Sequence, residues 1–149
     1  ATRATPEEVA RMWTLARQVY EVEDDELTEL WDSALHRLIA LCARNRPLMT
    51  AFGLLDETRA SADWQGVRPW ARTERSLEAS HAQHVEIVSA IEAGDAAGAR
   101  EAMRAHLLDR MTALSEALGV LGSGPYDPAP RFDPEVMSEL TRAWIRRHG

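Results

Sequence analysis

The sequence predicts an all-α protein, an antiparallel bundle of about six helices, and three observations carry that expectation. Apolar residues recur at helical spacing along most of the chain, and no segment alternates apolar and polar residues as a strand does. Helix-start residues precede the periodic stretches, among them Thr5 with Glu8, Asp24-Asp25 and Asp95. Helix-stop signals close them, above all Gly94 and Pro47.

Taken in order, Thr5 and Glu8 form a capping box with Pro6 in the first helical position, and Val9, Met12, Trp13, Ala16 and Tyr20 make one apolar stripe. A second helix follows Asp24-Asp25 with Leu27, Leu30, Trp31, Ala34, Leu35 and Leu38 expected inward, ending near Asn45 because Pro47 disfavours helix before it. A third runs from about 47 to 60, and SADWQGVRPWART reads as a long loop. The fourth and fifth, about 75–93 and 96–121, form a hairpin about Gly94-Asp95. After Gly122 a Pro/Gly-rich stretch reads as a linker, and Asp133-Pro134-Glu135 opens a short final helix. The division is thus 1–122 as a helical domain and 123–149 as linker and amphipathic helix.

Composition narrows the function. At 149 residues, with 45% hydrophobic and 28% charged residues, the chain is one ordinary globular domain. The net charge is −7, which repels nucleic acid. All 17 basic residues are arginine, a bias that says nothing about mechanism. No apolar run spans a membrane and no leader is recognised, so a cytoplasmic location is expected. The single Cys42 excludes an internal disulfide and cysteine-rich metal sites, and it reads as a core residue. The phosphate-binding loop, the dinucleotide fingerprint, the nucleophile elbow, HExxH and the adjacent His-Asp pair of metal phosphohydrolases are all missing.

One constellation does carry chemistry. His84 and His106 each lie 11 residues from Asp95. Folding the chain back at that turn puts both imidazoles at one height, roughly 16 Å from it. Leu77, Ile87, Val88 and Ile91 flank the first, and Ala99, Ala102, Met103 and Leu107 the second. Asp32 and His36 are four apart on the second helix, so a carboxylate and an imidazole share one face. One oxygen and three nitrogens suit a divalent transition metal, zinc first, with nickel, manganese or iron as alternatives. The spacing alone leaves a second reading open, in which the histidines are hydrogen-bonded core residues and Asp32–His36 a surface pair. His81, one turn before His84, reads as a neighbour of the site or as solvated, and His148 as solvated.

These residues resemble the FCD domain, the helical effector-binding domain of GntR-type transcription regulators. The family pattern has an Asp four residues before a His, here Asp32 and His36, with Leu35 where Phe is usual. It continues with a helix-ending Asn-Pro-Leu, here Asn45-Arg46-Pro47-Leu48 with one residue inserted. Then come His84, Ala90-Ile91, Gly94-Asp95 and Met103-Arg104-Ala105-His106-Leu107 in the family's order. The likeness covers about 1–121 and is most specific from His84 to Leu107.

The resemblance implies that Asp32, His36, His84 and His106 are metal ligands at the floor of a central pocket. It also implies that Arg59 faces that pocket, where a small organic acid or sugar acid binds and alters DNA affinity. A winged helix-turn-helix and a first bundle helix are expected ahead of the pattern. Neither is recognised in 1–149, so the expectation is either a piece of a longer regulator or residues not observed, in a regulator that acts as a homodimer and meets DNA only through that other domain. The expected role is a sensor and not an enzyme. The rivals are a metal-dependent hydrolase-like bundle and a metal-free interaction bundle.

Overall fold

The computed structural model describes residues 1–22, 24–61, 64 and 73–117, and among them it places five α-helices and no strand. Helix α1 spans Pro6–Glu21. The Thr5 hydroxyl accepts from the Glu8 N–H at 3.3 Å while Glu8 Oε2 accepts from the Thr5 N–H at 2.9 Å, the expected capping box. Val9, Met12, Ala16 and Val19 are its buried face. Tyr20, expected in that stripe, is instead 53% exposed.

Helix α2 spans Asp25–Cys42, capped by Asp24, whose carboxylate accepts from the Leu27 N–H at 2.8 Å. It stops before Asn45 because Arg44 has φ of +52°, a left-handed conformation that cannot continue the helix. Pro47 bounds where the helix must have ended, and Arg44 decides where it does. Arg44 is anchored by bonds to Leu41 O at 3.2 Å and Glu8 Oε1 at 2.6 Å. Helix α3, Arg46–Arg59, is capped by the Asn45 side chain on the Leu48 N–H at 3.2 Å. It packs chiefly against α2 and has no fully buried residue.

Helix α4 spans Glu74–Glu92 behind a Thr73–Ser76 capping box, and α5 spans Ala96–Ala117. Their turn follows the sequence reading closely. Gly94 has φ of +69° and donates to Ile91 O at 3.0 Å, while the Asp95 N–H reaches Ala90 O at 2.9 Å. A Cβ at Gly94 would meet nothing within 4 Å, so the backbone angle, not space, demands glycine. Asp95 then caps α5 by accepting from the Gly98 N–H at 2.9 Å.

Helix α1 packs against both α2 and α4, and α4 against α5. The core joins Val9, Met12 and Ala16 to Leu35 and Cys42 and to Ile87, Val88 and Ile91. Burying each larger side chain contributes about 1.5–3 kcal/mol. Trp13 packs beside this core and donates to Glu92 Oε2 at 3.2 Å. Burial pushes the Cys42 thiol up to about 11, which suits a core residue and not a nucleophile.

The inward face of α2 differs from the expected one. Leu27 and Leu30 are 43% and 57% exposed, whereas Thr28, Glu29, Asp32, Leu35 and His36 are buried. The stripe is rotated by one residue, about 100° on a helix, because the buried face of α2 is largely polar. Hydrophobicity alone points to the wrong side of such a helix. Residues 118–149, including the end of the fifth expected helix, the linker and the sixth helix, lie outside the described residues, as does most of the expected loop at 61–73.

Candidate metal centre

Three helices bring the four residues together. Asp32 and His36 come from α2, His84 from α4 and His106 from α5, and one ligand-type atom of each lies within 4.8 Å of all the others. Ligand atoms held about 2.1 Å from one ion stand roughly 3.0–4.2 Å apart in octahedral geometry. Asp32 Oδ1 is 3.3 Å from His84 Nε2 and 3.7 Å from His36 Nε2, inside that range. The imidazole centroids are separated by 4.6 Å (His84–His106), 5.1 Å (His36–His106) and 5.4 Å (His36–His84).

His84 supplies the test of fit. Its side chain is 0% exposed, and neither ring nitrogen has a hydrogen-bond partner among the described residues. Nε2 approaches Asp32 Oδ1 without forming an aligned bond. A buried imidazole left in this state costs free energy that a core histidine normally avoids. A cation held by this cluster would give such a nitrogen a partner. The donor set therefore suits a divalent transition metal.

Electrostatics point the same way. Burial, opposed by Asp32 and aided by His84 and Arg59, pushes His36 below its usual range. Burial and the two neighbouring histidines push His106 down to about 3. For Asp32, burial favours the neutral acid, yet His36, His84 and Arg59 outweigh it and hold the carboxyl well below the usual range. Neutral imidazoles and an ionised carboxylate are the forms a metal ion requires.

A pH dependence follows with a definite sign. Because the folded pKa of His106 and His36 is depressed, the unfolded chain binds more protons as pH falls below about 6.5. Their contribution to stability is fully present above that pH and is lost progressively toward about 3 for His106. Denaturant midpoints of the metal-free protein measured from pH 7.5 to 4 are expected to fall steadily below about 6.5. A flat profile would contradict the buried neutral pair.

Two neighbours of the site escaped the sequence reading. Gln83 Oε1 lies 2.9 Å from His106 Nδ1, and an amide oxygen only accepts, so Nδ1 carries the proton and Nε2 presents its lone pair to the site. Glu29, buried one turn before Asp32, accepts from Arg59 Nε at 2.8 Å and Nη2 at 2.6 Å. Its spacing of three from Asp32 was the available signal. The same Nη2 donates to Asp32 Oδ2 at 2.5 Å, leaving Oδ1 toward the histidines. Arg59, the last residue of α3, thus grips the carboxylate of the cluster and also lines a cavity of about 690 Å³ with Asp32, His36 and His106. His81 lies outside the four-residue group and stacks on Tyr20 at 4.2 Å on the cavity wall.

The FCD domain model of protein families matches residues 1–109. The chain belongs to the FCD domain family. The match spans every residue of the Asp/His cluster, and the family is one of regulatory, effector-binding domains in transcription regulators. Searches of the curated proteins and of the solved structures each found no match. No helix of this FCD domain, among the described residues, is long and apolar enough to cross a membrane.

Proposed function

We propose that this FCD domain is the metal-containing sensor of a GntR-type regulator, with Asp32, His36, His84 and His106 as ligands of one divalent ion, zinc first. The observation that carries this reading is His84, fully buried, with neither ring nitrogen in an aligned hydrogen bond and Nε2 set 3.3 Å from Asp32 Oδ1 in a carboxylate–imidazole cluster that borders a cavity. Bound there, the ion would supply Lewis acidity and, if octahedral, two positions beyond the four side chains. The chain's own residues do the rest. Arg59 holds Asp32 by its outer oxygen, and Gln83 sets the His106 ring.

The effector is an acid whose carboxylate enters the cavity where the cluster and Arg59 meet. It favours one arrangement of the helices, and that preference passes to DNA through a separate domain, in a homodimer. The domain binds and does not turn over its ligand. Calorimetry of metal-loaded 1–149 against organic and sugar acids is expected to give saturable heats that disappear after chelation. Steady turnover of any acid, or tight operator binding by 1–149 alone, would refute the reading.

A further inference from the structure

The cavity has a second polar tier that the metal cluster does not use. His81 precedes His84 by three residues on α4, and Arg110 follows His106 by four on α5. Because the hairpin is antiparallel, both lie about one turn, roughly 5 Å, farther from the Gly94-Asp95 turn than the ligand histidines. His81 Nδ1 and Arg110 Nε are buried without hydrogen-bond partners among the described residues, and both residues line the cavity. Trp64, which also lines the cavity, has its indole N–H in the same condition. Arg Nε–H and indole N–H only donate, so this tier calls for a hydrogen-bond acceptor.

Charge decides what kind of acceptor. Arg110 already pairs with Asp109 at 2.7 Å, and Arg59 is shared between Glu29 and Asp32. Glu78 adds a further negative charge to the wall. A divalent ion added to these groups brings the formal sum to zero, so every ligand carboxylate adds uncompensated charge and a second one is disfavoured more than the first. Around and beyond the second tier the wall is largely apolar. Leu55, Leu77 and Leu107, which are 59%, 37% and 54% exposed, face this cavity with Phe52, Met111 and Leu114. Such a lining rewards hydrocarbon and leaves a row of hydroxyls unsatisfied.

We infer that the effector is a monocarboxylate with an apolar body and one neutral acceptor, a carbonyl or hydroxyl, set about one helical turn from the carboxylate and received by Arg110, His81 and Trp64. The inference rests on the proposed sensor role and names its ligand class, against both sugar acids and dicarboxylic acids.

Four probes separate the possibilities by calorimetry on the metal-loaded chain: 4-oxooctanoate, octanoate, adipate and gluconate. The expected result is that 4-oxooctanoate binds at least about tenfold more tightly than each of the others, the effect of one good hydrogen bond to a charged donor. Arg110→Met keeps the length and removes the donor, and in it 4-oxooctanoate and octanoate should bind alike. His81→Phe preserves the stack on Tyr20 and should narrow the same gap. Melting curves of both variants establish that they fold. Tightest binding of gluconate or adipate would overturn this inference while leaving the sensor reading intact, as would an undiminished preference in Arg110→Met. Absence of binding by any acid to metal-loaded protein would overturn the sensor reading, and the inference with it.

Discussion

Chelating the divalent ion from purified protein is expected to lower the melting temperature by roughly 8–10 °C. An ion bound only by the native state adds about 2.7 kcal/mol at a hundredfold excess over its Kd. With an unfolding entropy of about 2.1 cal/mol/K per residue, a domain of this size converts that into the stated shift. The physical source is the buried cluster. Without a cation, three imidazoles and an ionised Asp32 share a space in which His84 has no hydrogen bond. His106→Ala should remove most of the response to chelator while leaving a cooperative, less stable fold. A melting curve of metal-loaded protein that ignores chelator would exclude a structural ion here.

Replacing Arg59 is expected to have two separable consequences. Its side chain is 20% exposed and joins two carboxylates whose side chains are 10% and 12% exposed. Arg59→Met removes the guanidinium from both, and breaking a buried ion pair from one side costs about 3–5 kcal/mol. It also removes the Arg59 bond to Asp32 Oδ2, which holds the carboxylate with Oδ1 toward His36 and His84. Loss of such an outer partner typically weakens metal affinity about 10–100-fold. Adding Glu29→Gln to Arg59→Met should recover much of the stability and little of the metal affinity. Denaturant titration and competition with a metal-binding dye measure the two quantities independently. Undiminished metal affinity in Arg59→Met would mean that the guanidinium does not position Asp32. The effector role expected of Arg59 is therefore best measured in metal-saturated protein, where a fall in acid affinity reports on the ligand alone.

What local chemistry encodes was legible from the sequence. Capping side chains, Pro6 and Gly94 act within three or four residues, so the starts of α1, α2 and α5 and the hairpin turn follow from neighbours in the chain. The cluster itself was legible for the same reason. Asp32 and His36 meet through one helical turn, and His84 and His106 through one symmetric hairpin, so each half needs only secondary structure to form. What joins the halves is not local. The polar inward face of α2, the grip of Arg59 on residues 27 and 30 positions away, and the bond from His106 to Gln83 across the hairpin depend on how helices rotate and dock. Periodicity assigns a helix its apolar side, and it misplaced Leu27 and Leu30 because α2 turns its carboxylates and histidine inward. Only tertiary packing could decide that, since a buried charge is tolerable solely where partners from other helices converge on it.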